Sequence, residues 1–420
     1  MQTNLAEFVK TRVEHDEFEK ILRSCVHCGF CNATCPTYQL TGNELDGPRG
    51  RIYLLKQMLE GEATGKTTQR HLDRCLNCRS CETTCPSGVE YGRLLDLGRI
   101  IVEEKVSRSL LDYIHRRLML FFFPHQQRFK LLIKLASLIR PVMPKSVRNK
   151  IPSIQVLLAK DKPQATHSRK VLLLSGCVQD TLAPSIDISA AKVLDKLGIS
   201  LIHTTSSHCC GALNYHLSDH ETAKQLARKN IDACWPMMQE IEAIIMTASG
   251  CGVTLKEYAK ILQYDSEYAE KAQQFSLLVK DISEIIQHEN LSQFKAKNIK
   301  VAFQSPCTLQ HGLHLSDVVE SILFNIGYAL TNVKNAHICC GSAGVYSMLQ
   351  LELSEQLRDN KLNDIQADQA DCIVTANIGC LTHLQAKISK PVMHWIELLD
   401  ENCVLTKNNS DRDLIQKVEQ

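Results

Sequence analysis

The chain has 420 residues, 44% hydrophobic and 22% charged, enough for two or three soluble domains with ordinary cores. Its 48 Lys and Arg against 46 Asp and Glu leave a net charge of +2, which excludes a surface that is basic throughout and built to hold nucleic acid. The 19 cysteines are the unusual feature: with no apolar h-region in MQTNLAEFVKTRVEHDEFEK to act as an export signal, they read as thiols or metal ligands rather than disulfides.

The cysteines form two populations. Eight lie between Cys25 and Cys85, and eleven are spread between Cys177 and Cys403. The first run, Cys25-Val-His-Cys28-Gly-Phe-Cys31-Asn-Ala-Thr-Cys35-Pro36, is C-x2-C-x2-C-x3-C-P, and Cys75-Leu-Asn-Cys78-Arg-Ser-Cys81-Glu-Thr-Thr-Cys85-Pro86 repeats it. This is the bacterial ferredoxin run, in which three closely spaced thiolates curl round one iron–sulfur cube and the fourth reaches the neighbouring cube. The expected ligand sets are therefore Cys25, Cys28, Cys31 and Cys85 for one [4Fe–4S] cluster, and Cys75, Cys78, Cys81 and Cys35 for the other. Zinc modules show two pairs of ligands rather than runs of four, so zinc fits poorly here. The 39 residues from Pro36 to Arg74 include the helical segment RIYLLKQMLEG, which predicts a helical dicluster domain over residues 1–105. GEATGKT at Gly61 to Thr67 is one residue short of a phosphate loop and follows a helix, so it reads as a helix end and loop.

Residues 106–168 are a basic connector. From Lys105 to Lys150 there are eleven Lys and Arg against one acid, Asp112, interleaved with apolar residues. The pattern predicts amphipathic helix broken near Pro124, Pro141 and Pro144, with a linker over Pro152 to Ser168. Such a stretch either presents a solvated face or docks on anionic lipid or a partner subunit.

After Lys170, β-rich runs alternate with longer helical ones: VLLL at 171, ISLIHT at 199, AIIMTA at 243, IKVAF at 299 and CIVTA at 372. Strand then helix, repeated, predicts α/β layers with a mainly parallel sheet. Cys177, Cys209, Cys210 and Cys251 recur as Cys307, Cys339, Cys340 and Cys380 at offsets of 130, 130, 130 and 129, which marks a duplicated Cys-Cys-Gly (CCG) module over 169–296 and 297–420. Four thiols converging from three strand ends would make a redox or metal site, open to a further cluster or to zinc; the alternative is thiols packed in a core. Adjacent thiolates can bind different irons of one cluster. His208, His337, Thr308, Gln310 and His311 flank these sites without earning a catalytic role, and Cys234, Cys372 and Cys403 fall outside the repeat as small buried residues.

G-x-G-x-x-G, G-x-S-x-G and H-E-x-x-H are all absent, so no catalytic residue is assigned, and the chain reads as an electron relay whose chemistry lies on a partner. CVHCGFCNATCPTYQLTGNELDGPRGRIYLLKQMLEG, HLDRCLNCRSCETTCPSG, TASGCGVTLKEY, PCTLQH, CCGSAGVYSM, QLRDNK and TANIGC closely resemble the iron–sulfur subunits of bacterial glycolate oxidases. The paired CCG motifs widen the resemblance to relatives of heterodisulfide reductase. These carry a further Cys within three residues of the last one in each repeat, where this chain has Gly252 to Thr254 and Leu381 to His383.

The resemblance implies an oxidoreductase complex in which a subunit carrying FAD oxidises glycolate to glyoxylate. This chain would pass the electrons toward quinone or another respiratory acceptor, as a cytoplasmic protein peripheral to the inner membrane. The equivalent subunit of a glycerol-3-phosphate or lactate dehydrogenase has the same motifs, and a CCG enzyme reducing disulfides is the reading from another class.

Overall fold

The computed structural model describes residues 1–139, 163–204, 206–366 and 370–400. Its N-terminal part is helical. In helix His15–Ser24, Phe18, Ile21 and Leu22 fall on one face and bury against Leu55 and Leu59 of helix Pro48–Leu59 and against Leu94 and Leu95 of helix Tyr91–Lys105. Pro36 and Pro48 each open a helix, where the missing N–H is no loss. The two cysteine runs share one local shape. His27 and Gly29 in the first, and Asn77 and Arg79 in the second, have positive φ (60°, 85°, 51° and 60°), and each loop leads into a single-turn helix, Phe30–Ala33 or Ser80–Thr83. Paired left-handed residues coil the backbone tightly enough to aim successive sulfurs at one space. GEATGKT ends helix Pro48–Leu59 and leads into Lys66–Asp73, as a helix end and loop should.

The connector forms two helices, Leu110–Phe122 and Gln126–Ile139, broken around Pro124 as the sequence predicts. Phe129 and Ile133 bury in the core of the modules that follow. Pro141, Pro144 and most of the expected linker lie outside the described residues.

Each CCG module is a four-stranded parallel sheet flanked by helices. The first comprises β1 (Arg169–Leu173), β2 (Ile199–His203), β3 (Ala243–Met246) and β4 (Val279–Asp281) in the order β2-β1-β3-β4. The second comprises β5 (Lys300–Gln304), β6 (Ala329–Leu330), β7 (Cys372–Thr375) and β8 (Val392–His394) in the order β6-β5-β7-β8. The matching order makes the duplication structural. The five apolar runs of the sequence are β1, β2, β3, β5 and β7. The short edge strands β4, β6 and β8 escaped the pattern, being two or three residues long. Residues of both modules, from Val171 and Ile245 to Phe303, Val374 and Trp395, belong to one continuous core.

Gly50 is where the N-terminal part is tightest: a Cβ there would stand 2.1 Å from the Glu44 carbonyl oxygen, whereas at Gly65 it would meet nothing within 4 Å. Gly50→Ala should lower unfolding stability by about 1–3 kcal/mol in a denaturant titration, and Gly65→Ala should stay near the parent value.

Candidate metal centres

Two adjoining cavities divide the eight N-terminal cysteines. The first is lined by Cys25, Cys28, Cys31 and Cys85, the second by Cys35, Cys75, Cys78 and Cys81. Cys81, Pro48 and Tyr91 line both and form the wall between them. Each set thus takes three sulfurs from one run and the fourth from the other, because the prolines after Cys35 and Cys85 redirect the chain. Cys28 is exposed, with Val26 and Phe30 exposed beside it, so the first cavity opens at the surface. Burial, reinforced by neighbouring sulfurs, pushes the Cys31 thiol up to about 11 and raises Cys78 and Cys81 well above the usual thiol range. Thiolates in these cavities therefore need positive metal charge beside them, and the all-sulfur donor set suits iron–sulfur clusters.

A buried polar network backs the second cavity. Asp46 is fully buried, 2.7 Å from His71 Nδ1 and 2.9 Å from Arg74, and its carbonyl accepts from Thr37 Oγ1 at 2.7 Å. Burial would raise the Asp46 carboxyl, but the hydrogen bond from His71 and the charges of Arg74, His71 and Arg51 hold it below the usual carboxylate range. Arg51, also buried, donates to the His71 carbonyl at 2.7 Å and to Thr37 Oγ1 at 3.1 Å; Thr37 Oγ1 lies 3.3 Å from Cys35 Sγ. The ELDGPRGR string thus places a buried guanidinium behind the second sulfur set. The string is legible in the sequence, but its partners His71 and Arg74 come from another helix.

In each CCG module the lone cysteine and the CCG pair sit beyond the carboxyl ends of the first two strands, and the last cysteine beyond the third, the usual place for ligands in parallel sheets. Cys177 Sγ is 3.3 Å from Cys209 Sγ; in the second module Cys307 is 3.6 Å from Cys339, and Cys340 is 3.3 Å from Cys380. The four expected thiols of each module do come together, yet as a chain of contacts. Among the described residues no three His, Cys, Asp or Glu side chains close on a single-ion site, and this is as true of the N-terminal eight. Cys234 and Cys372 are buried in the apolar clusters that also hold module thiols, and Cys403 lies outside the described residues.

The flanking histidines have structural work. The His208 amide donates to Asn230 Oδ1 at 2.9 Å, and the His337 carbonyl lies 3.2 Å from His311 Nε2. His311 Nδ1 is 2.9 Å from Thr83 Oγ1, and His216 Nδ1 is 2.8 Å from Asn77 Nδ2 and 3.2 Å from Asp96, so both modules dock on the second cysteine run. Arg79 pairs with Glu257 at 2.5 Å across the same boundary. Sequence reasoning missed His216, Asp96 and the Arg79–Glu257 pair, whose partners are more than 100 residues apart and share no motif.

Asp96 is buried, yet it is pushed down to about 2, because the charge and hydrogen bond of His216 and the charges of Arg99 and Arg79 outweigh burial. A depressed carboxyl stabilises the fold above its unfolded value near 4, and that contribution fades as pH falls through the folded value. Asp96→Asn should therefore cost about 2 kcal/mol at pH 7, with the difference from the parent shrinking between about pH 4 and 2 in urea unfolding.

Residues 21–89 match the 4Fe-4S dicluster domain family, and residues 171–256 and 301–385 match the Cysteine-rich domain family. The glycolate oxidase iron-sulfur subunit of Escherichia coli K12 is 49% identical over 403 residues, covering 96% of this chain and 99% of that protein. A probable glycolate oxidase iron-sulfur subunit of Bacillus subtilis 168 is 32% identical, covering 91% of each. Lactate utilization protein A of Exiguobacterium is 25% identical and covers 55% of this chain and 97% of its own length. A hypothetical protein from Helicobacter pylori has a related fold, with a TM-score of 0.52 at 13% identity, covering 96% of this chain and 75% of that one. With the dicluster cavities and the duplicated CCG sheets in one chain, and near-complete coverage at 49% identity, the protein belongs to the family of glycolate oxidase iron–sulfur subunits.

Proposed function

We propose that this chain relays electrons within a glycolate oxidase complex, with Cys25, Cys28, Cys31 and Cys85 holding one [4Fe–4S] cluster and Cys35, Cys75, Cys78 and Cys81 the other. Two cavities with a common wall that includes Cys81, the first lined also by Cys25, Cys28, Cys31 and Cys85 and the second by Cys35, Cys75 and Cys78, are the observation that carries this reading. Bound clusters would supply reversible one-electron transfer. Glycolate oxidation to glyoxylate releases two electrons and two protons at FAD on a partner subunit, and only the electrons enter this chain, bound for quinone or a similar respiratory acceptor. The exposed Cys28, rimmed by Val26 and Phe30, suits the point of entry, whereas Cys78 of the second set packs against Cys307 and Cys339 of the second CCG module. Glycolate is favoured over lactate because the glycolate relative spans nearly the whole chain and the lactate relative about half. The domain bounds that go with this reading are 1–105, 106–168, 169–296 and 297–420.

The connector supports a peripheral place on the membrane. Leu110, Leu111, Tyr113, Ile114, Leu118, Phe121, Leu131, Leu135 and Leu138 are exposed along its two helices, among the cations Arg117, Arg128, Lys130 and Lys134. No described helix is long and apolar enough to cross a bilayer. Apolar side chains flanked by cations fit the headgroup boundary of an anionic leaflet, here the cytoplasmic face of the inner membrane.

Cys25→Ser and Cys75→Ser should each lose part of the bound iron and slow dye reduction by the co-purified complex given glycolate, whereas Cys403→Ser should do neither. Equal behaviour of all three would overturn the ligand assignment, and turnover with lactate in place of glycolate would overturn the substrate. Replacing Arg117, Arg128, Lys130 and Lys134 with Gln should weaken partitioning onto anionic vesicles by roughly several hundredfold in a flotation assay, at about 1 kcal/mol per cation. Unchanged flotation removes the membrane contact.

A further inference from the structure

The two N-terminal cavities differ in the charge that faces them. Helix Pro48–Leu59 begins Pro-Arg-Gly-Arg, and residues two apart on a helix point about 160° away from each other. Arg49 accordingly lines the first cavity and Arg51 the second. Arg49 lies over the first cysteine loop, where a Cβ on Gly29 would stand 2.6 Å from its Nη1. Its side chain is 37% exposed and donates to Glu44 Oε1 at 2.6 Å, so its charge is both matched by a carboxylate and screened by water.

Arg51 is in the opposite condition. Its side chain is 1% exposed, its Nε donates to the His71 carbonyl, and its Nη2 donates to Thr37 Oγ1, which lies 3.3 Å from Cys35 Sγ. Among the described residues the carboxylate within 4 Å of it is Asp46, at 3.8 Å, and Asp46 already accepts from Arg74 at 2.9 Å. A single carboxylate between two guanidiniums leaves positive charge unmatched. The other cations beside this set have carboxylates of their own: Arg79, which also lines the cavity, meets Glu257 at 2.5 Å, and Arg99, which donates to the Cys75 carbonyl, is 4.0 Å from Asp96. Burial opposes the charge of Arg51, yet Cys75, Tyr91, Cys35 and Asp46, in that order, hold the guanidinium above its ordinary value. Two sulfurs of the second set thus couple to it more strongly than its carboxylate does.

We propose that Arg51 makes the cluster on Cys35, Cys75, Cys78 and Cys81 the easier of the two to reduce, so that an electron arriving beside the exposed Cys28 moves inward and rests there until the respiratory acceptor takes it. This deepens the relay reading and rests on it. Reduction adds negative charge to a cluster that four thiolates already make anionic, and a positive charge held in a dry, low-dielectric wall stabilises that addition far more than one in water does. Arg49, at the solvent edge and paired with Glu44, gives the first cluster little of this support. One electron leaves the first cluster and enters the second, which the acceptor then reoxidises, and no bond is made or broken and no proton moves.

The test is a redox titration of the full-length chain purified anaerobically, followed by electron paramagnetic resonance, with iron counted in every variant. Two midpoint potentials are expected from the dicluster domain; Cys28→Ser should alter the signal of the lower one and Cys78→Ser that of the higher, which assigns them. Arg51→Met should lower the higher midpoint by tenfold or more in the reduction equilibrium, about 59 mV for one electron, while Arg51→Lys, which keeps the charge, should stay near the parent. Arg74→Gln frees Asp46 to oppose Arg51 and should lower the same midpoint by about threefold or more, so the role of Arg51 is tested even where Arg51→Met fails to hold its iron. Arg49→Gln should move neither midpoint by more than about threefold. Equal midpoints in the parent, a higher midpoint that belongs to the Cys28 cluster, or a Cys78 cluster indifferent to Arg51→Met (or to Arg74→Gln, where Arg51→Met holds no iron) would overturn the role of Arg51 and leave the relay standing. So would an equal fall with Arg49→Gln or Arg51→Lys. Absence of both dicluster signals would overturn the relay reading itself.

Discussion

Sixteen sulfurs kept largely out of water set the terms for the rest of this molecule. A thiol in a desolvated loop holds its proton, as the raised values of Cys31, Cys78 and Cys81 show, so it becomes a ligand only when metal charge offsets burial. Each structural peculiarity near the cysteines serves that condition. The left-handed turns at His27, Gly29, Asn77 and Arg79 aim the sulfurs inward, the prolines after Cys35 and Cys85 send the fourth sulfur across to the other set, and Tyr91 closes both cavities from the adjoining helix.

Charge is then managed residue by residue. Arg51 lies behind the second sulfur set and is itself held by the Asp46, His71 and Thr37 network, so a buried guanidinium is present without being free to move. A buried ion pair is weak evidence for stability, and a hydrophobic replacement often packs as well. Arg51 lines the second cavity, so its charge faces the sulfurs of that set. The surroundings differ too: the first cavity lies beside exposed apolar residues, while Cys78 of the second packs against thiols of the second CCG module.

The modules show how duplication leaves room for divergence. Both sheets have the same strand order, and both end in a short strand feeding a capped helix, with Asp281 and Glu284 in one and His394 and Glu397 in the other. Over that shared frame, Asn230 and Lys361 occupy equivalent buried places, and only the second module's thiols meet an apolar cluster containing a dicluster cysteine. Equal cysteine spacing in the two halves thus conceals unequal surroundings.

The sequence by itself determined whatever is encoded in short spacings. The C-x2-C-x2-C-x3-C-P runs marked the eight cysteines that line the two N-terminal cavities, the 130-residue offset specified the duplicated module, and five apolar runs located five strands, because cysteine loops and β-alternation are local patterns. The three edge strands were too short to register against their neighbours. Tertiary structure alone decided which module abuts Cys78, that His216 and His311 meet the second cysteine run, that Lys361 is buried beside thiols, and that the connector turns an apolar face outward. All of these depend on groups distant in the chain meeting across packed surfaces, and burial and Coulomb energy are properties of that meeting rather than of any one segment.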